Sequence, residues 1–197
     1  MKSLFRCLFG ASSILTGTEL VCAQWVQSLF PLNNVALNTV ATSGTNIFAG
    51  TYNRGIYRST SSGTSWTQVN NGIILDSWGY LPIVYALAII GTKIFAGTSD
   101  GVYLSTNNGT IWKPANNGMS LPSPAANNRV LSFAVNGRKV FARTSRRLFL
   151  STVNGTSWTQ FPGMTYSGGV NTIKVNGTAR IILIQCQSAV DIKHLDT

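Results

Sequence analysis

The sequence predicts an all-β fold, a β-propeller of four-stranded antiparallel blades, and three observations predict it. An eight-residue phrase recurs three times: Ser59-Thr60-Ser61-Ser62-Gly63-Thr64-Ser65-Trp66, Ser105-Thr106-Asn107-Asn108-Gly109-Thr110-Ile111-Trp112 and Ser151-Thr152-Val153-Asn154-Gly155-Thr156-Ser157-Trp158. The interval between successive tryptophans is 46 residues both times, the period of an array of supersecondary units. Only 10% of the 197 residues are charged, Gly, Ser, Thr and Asn are abundant, and no long stretch repeats at helical period. Such a composition suits many short strands joined by tight turns.

Each unit has one order of elements. It opens with an alternating apolar run: Val35–Val40, Val84–Ile89, Val130–Val135 and Val170–Val175. A turn follows at Ser43-Gly44-Thr45, Gly91-Thr92, Asn136-Gly137 and Asn176-Gly177. Asn-Gly is a strong hairpin signal because both residues accept positive φ. The second strand is short and apolar: Ile47-Phe48-Ala49-Gly50-Thr51, Ile94-Phe95-Ala96-Gly97-Thr98 and Val140-Phe141-Ala142-Arg143-Thr144. Its small alanine fits the crowded inner part of a blade. The third strand is Gly55–Ser59, Gly101–Ser105 and Leu148–Ser151, and the repeated phrase then turns the chain into an outermost strand such as Trp66–Val69. In that turn, side-chain oxygens are expected to bond local N–H groups, glycine to permit the reversal, and tryptophan to cover the seam between sheets.

The phrase resembles the Asp-box, or BNR repeat, whose usual form is Ser-x-Asp-x-Gly-x-Thr-Trp. Ser59, Gly63 and Trp66 match, as do Ser105, Gly109, Trp112 and Ser151, Gly155, Trp158. Ser61, Asn107 and Val153 stand in the Asp place, so the third box, which lacks an acceptor, is expected to be the weakest. The similarity covers about residues 24–178, and the wording of the whole repeat resembles secreted propellers of environmental bacteria. Asp-boxes are shared by sialidases, some glycoside hydrolases, sorting receptors and photosystem II assembly factors. The resemblance implies a propeller, with the box as a structural turn that carries no catalysis.

The organisation read from the chain is a secretion signal over 1–23 and a propeller over 24–197. Lys2 and Arg6 precede and interrupt an apolar stretch from Leu4 to Leu15, and Val21-Cys22-Ala23 offers a cleavage point. Secretion to an extracellular or periplasmic compartment follows, with no transmembrane segment. Cleavage after Ala23 removes Lys2, Arg6 and Glu19, taking the formal charge from +10 to +9. It leaves Cys186 as the one cysteine, so neither an internal disulfide nor a cysteine metal site is expected. Blade units fall at about 35–69, 83–115 and 129–161, with a partial fourth at 170–197 and an outer strand at 24–28 around Trp25. Two readings of the ends compete. Either the Trp25 strand completes a four-bladed ring, or the chain is a piece of a larger propeller whose pattern fails after Thr178. An open array would be prone to oligomerise.

Candidate chemistry is sparse. A glycosidase needs paired carboxylates, or a tyrosine with its activating glutamate, but Glu19, Asp76, Asp100, Asp191 and Asp196 form no recognisable pair. His194 is the one histidine, so no metal site or other cofactor is expected. The third unit concentrates Arg138, Lys139, Arg143, Arg146 and Arg147. These could form a cationic face for a polyanion such as acidic polysaccharide, with no specific nucleic acid implied, or they could be drift in a decaying repeat. Arg147 replaces a turn glycine, which is expected to strain the backbone. The insertion Leu75–Pro82 is unique to one junction, and its Trp78 and Tyr80 could stack a sugar or a partner. Burial being the default for aromatics, Trp78 is otherwise expected to cap the neighbouring sheet. The next junction, Ser120–Ala125, carries two prolines and no chemistry. These features point to a non-catalytic binding or scaffolding module for an unknown protein, polysaccharide or other polyanion. A sialidase-like glycosidase or its remnant, and an assembly factor for a membrane complex, are the alternatives.

Overall fold

A computed structural model describes residues 35–119, 129–145, 147–165, 170–175 and 181–185. The expected signal, the Trp25 strand, the Ser120–Ala125 loop, Arg146 and the tail with His194 lie outside them. The first blade comprises β1 (Leu37–Ser43), β2 (Asn46–Thr51), β3 (Ile56–Ser59) and β4 (Thr67–Gln68). The second comprises β5 (Val84–Ile90), β6 (Lys93–Thr98), β7 (Gly101–Ser105) and β8 (Lys113–Pro114). The third comprises β9 (Val130–Asn136), β10 (Lys139–Thr144), β11 (Arg147–Ser151) and β12 (Thr159–Thr165). A two-stranded unit, β13 (Val170–Val175) with β14 (Ile181–Gln185), follows.

Each full blade is a simple antiparallel meander in sequence order. The innermost strands pack on one another in series, β1 on β5, β5 on β9 and β9 on β13. This is how propeller blades stand around an axis. Because the strands alternate in direction, the connections β1–β2 and β3–β4 share one face of the array. The β2–β3 turn and the link to the next blade share the opposite face.

The second strands are buried on both sides, with Phe48, Ala49, Phe95, Ala96 and Ala142 fully inaccessible. The reason is the blade-on-blade stacking: two apolar clusters form, and each lies between blades. Phe48, Ile56, Val69 and Ile73 of the first blade meet Val84, Ile94, Tyr103 and Trp112 of the second. Phe95, Val102 and Met119 of the second meet Val130, Val140, Phe149 and Trp158 of the third.

The repeated turns hold these seams. The oxygens of Ser59, Ser105 and Ser151 accept the N–H of Gly63, Gly109 and Gly155 at 2.9, 2.9 and 2.8 Å. Ser61 Oγ and Asn107 Oδ1 accept the N–H four residues on, each at 2.9 Å. Val153 has no such oxygen, so the third turn lacks that bond. Gly109 and Gly155 have φ of 75° and 78° and lie against Phe48 and Phe95 of the preceding blade, where a Cβ would collide with the ring. The indole N–H of Trp112 donates to the Val69 carbonyl, and that of Trp158 to the Ala115 carbonyl, both at 2.8 Å. Tryptophan thus covers the seam at both described interfaces. Trp66 is half-buried, and its indole N–H bonds the Gly63 carbonyl of its own turn at 3.1 Å.

A second repeated element was not singled out in the sequence. Asn70 and Asn116 accept the N–H of Ile56 and Val102, both at 2.7 Å, and end the short outer strands by drawing the chain inward. Their neighbours Asn71 and Asn117 accept the backbone N–H of Trp112 and Trp158 at 2.8 Å across the seam. The third blade departs here. Pro162 stands in the asparagine place, and β12 runs to seven residues with an irregular register against β11. The apolar pattern that fails after Thr178 does not end pairing: Ile181–Gln185 still forms the partner strand of β13.

Trp112 is 1% exposed, and burying such a ring contributes up to about 5 kcal/mol by area. Trp112→Ala is expected to cost about 3–5 kcal/mol in denaturant unfolding; an unchanged midpoint would contradict the seam assignment. Burial also pushes the Tyr103 phenol above its usual 10.0, partly offset by the hydrogen bond from the Ile74 N–H. The fold therefore favours the protonated phenol. Its stabilisation is complete below about pH 10 and is lost as pH rises through the higher folded-state value. Stability curves should fall above pH 10 and fall less steeply in Tyr103→Phe.

Candidate functional site

The link from β4 to β5 carries the most accessible aromatic groups of the described residues. Trp78 is 82% exposed and Tyr80 64%, with Ile74 and Leu75 exposed beside them in sequence. The expectation that Trp78 caps a neighbouring sheet is therefore corrected. The ring stands instead on a loop that closes on itself and away from that sheet. Asp76 closes it: one carboxylate oxygen accepts the N–H of Trp78 at 2.9 Å and of Tyr80 at 2.8 Å. Two backbone bonds complete the turn, Gly79 N–H to the Asp76 carbonyl and Asp76 N–H to the Tyr80 carbonyl. Aspartate suits this place because its short carboxylate reaches its own chain two and four residues on. At the base of the loop, the Tyr103 hydroxyl accepts the Ile74 N–H at 3.3 Å, tying the loop to the second blade. The result is an indole and a phenol held outward on a fixed backbone.

The basic residues of the third unit do not converge. Arg143 is 2% exposed. It lies in β10, where the siblings Gly50 and Gly97 are crowded by the first strand of the next blade, so it is an interior residue and no part of a cationic surface. Arg138 and Lys139 sit at the β9–β10 hairpin, on one face of the array. Arg147 begins β11 at the opposite end of the strands, where Nη1 donates to Gln160 Oε1 at 3.0 Å. About five residues of strand separate the two ends, or roughly 17 Å. Arg146 is outside the described residues. The sequence missed this because clustering along one hairpin is not clustering in space: the two turns of a strand point opposite ways.

The described carboxylates are Asp76 and Asp100. The first is engaged by its own loop, and the second lies in the β6–β7 turn. Among the described residues, no group of three His, Cys, Asp or Glu could hold a metal ion, and no helix is long and apolar enough to cross a membrane. The signal that could have singled out the loop is Asp76 itself, placed two and four residues before the N–H groups that it caps.

No protein-family model matches the chain, and no curated protein sequence matches it. Solved structures match it in fold. The extracellular domain of BT4673 from B. thetaiotaomicron aligns with a TM-score of 0.58 at 17% identity, over 78% of this chain and 21% of that one. An ancestral GH74 enzyme aligns at 0.56 and 21% identity, over 78% and 22%. YCF48 bound to D1 peptide aligns at 0.54 and 16% identity, over 78% and 48%. The chain spans about a fifth of the first two and about half of the third. Likeness at these identities shows the fold: the chain is an all-β array of propeller blades, with three four-stranded sheets and one two-stranded sheet among the described residues.

Proposed function

We propose that this chain is a secreted, non-catalytic propeller of Asp-box type that binds polysaccharide through the Trp78–Tyr80 loop. The observation that carries the reading is the exposure of both rings on a backbone pinned by Asp76. A flat aromatic face held in water matches the apolar C–H face of a pyranose ring, and a fixed loop lowers the entropy lost on binding. The serine-to-glycine bonds in all three turns support the Asp-box assignment. The polyanion variant of the reading loses support, because Arg143 is buried and Arg138 and Lys139 lie away from Arg147.

Affinity electrophoresis through soluble neutral glucan tests the proposal. Trp78→Ala is expected to weaken retardation at least about tenfold, or about 1.4 kcal/mol, as for an aromatic hot spot. Equal retardation of variant and parent rejects the loop as the site. Retardation by heparin alone, lost with salt, moves the reading back to polyanions. Turnover of a fluorogenic sialoside or glucan replaces it with the glycosidase reading, and capture of a membrane subunit with the assembly-factor reading.

A further inference from the structure

The two seams are built alike at four points, yet they differ in the residue that spans them. In both, the glycine of the repeated turn rests on a phenylalanine, the indole bonds a carbonyl, and the tryptophan N–H is taken by an asparagine carbonyl. Asn108 and Asn154, which precede those glycines, share a left-handed φ of 55° and 54°, and both turns close alike, with the N–H of Thr110 and Thr156 on the carbonyls of Asn107 and Val153. In the first seam, Arg58 of β3 crosses from the preceding blade and its Nη1 donates to the Asn108 carbonyl at 2.9 Å. In β7 the same register position, opposite Phe95 as Arg58 is opposite Phe48, is Leu104. Leucine cannot reach across and cannot donate. The second seam accordingly opens into a cleft of about 470 Å³, lined among others by Leu104, Asn107, Ile111, Lys113, Pro114 and Thr156.

We propose that this cleft binds the arginine side chain of an extended peptide from a partner. The guanidinium would occupy the place that Arg58 takes in the first seam, donating to the Asn154 carbonyl. Its methylenes would lie along Leu104, Ile111 and Pro114, as long cationic side chains do on apolar surfaces. Arginine fits better than lysine because its fork donates in a plane and is more weakly hydrated. Lys113 stands where the first seam has Thr67. It is exposed to solvent, so its repulsion is a small handicap. The site lies on the face of the β3–β4 turns, opposite the Trp78 loop, and is independent of polysaccharide binding.

The test is NMR titration of the whole ¹⁵N-labelled chain with acetyl-Ala-Arg-Ala-amide, using acetyl-Ala-Leu-Ala-amide as control. The arginine peptide is expected to shift amides within 104–115 and 154–156, and the leucine peptide to leave them in place. Leu104→Arg writes the first seam into the second. It should abolish the response while melting no lower than the parent. Lys113→Thr should tighten binding by about threefold, the scale of an exposed charge pair. Absent shifts, equal shifts with both peptides, or a response that survives in Leu104→Arg each overturn the proposal. Should Leu104→Arg fail to fold, the peptide comparison and Lys113→Thr still decide it.

Discussion

The fold depends on one insertion: the turns of the second and third blades each press a glycine against the phenylalanine of the blade before. Gly109 on Phe48 and Gly155 on Phe95 leave no room for a Cβ. That contact sets the distance between sheets, and the tryptophan three residues on then reaches the outer strand of the preceding blade with its indole N–H. No blade has a core of its own. The apolar clusters of the described residues lie between blades, so stability is a property of pairs of blades. The serine hydroxyl that caps the glycine N–H keeps the turn in shape before docking. A polar bond within one blade thereby organises apolar burial between two.

Much of this was legible in the sequence. The 46-residue spacing, the alternating runs and the Ser…Gly…Trp phrase located thirteen of the fourteen described strands to within a few residues, because each rests on local chemistry with a fixed period. The expected role of tryptophan at the seam was also readable, since a ring that recurs at blade spacing needs a recurring partner. The outer strands were overestimated: Trp66–Val69 was expected, and Thr67–Gln68 forms. Asn70 is the cause, for it bonds Ile56 across the sheet and pulls the chain away. The Asn-Asn-Gly element was not singled out in the sequence, since nothing local shows that its oxygens serve a strand fourteen residues back and a blade 41 residues ahead.

The candidate sites divide along the same line. Trp78 and Tyr80 were legible as unusual because they occur at one junction alone, but their exposure could not be read from ring chemistry, which favours burial. The basic residues were misleading because proximity along a hairpin was taken for proximity in space. Arg143 was read as one more surface cation, yet it lies in the buried second strand of the blade. The cleft at Leu104 was invisible in the sequence, where an arginine-to-leucine difference between repeats looks like ordinary drift. It becomes meaningful only once Arg58 is seen spanning a seam.

Gly55 and Gly101 adopt positive φ, and a Cβ at either would strike the side chain of Asn70 or Asn116. A side chain in the glycine place is therefore incompatible with the asparagine, although 14 residues separate them in sequence. The third repeat holds Arg147 and Pro162 in those two places, both members altered together. The exclusion runs one way: glycine accepts any neighbour, whereas a side chain in its place needs the asparagine gone. The order in which such a pair can be exchanged is thereby constrained, the asparagine being the member that can be replaced without a collision.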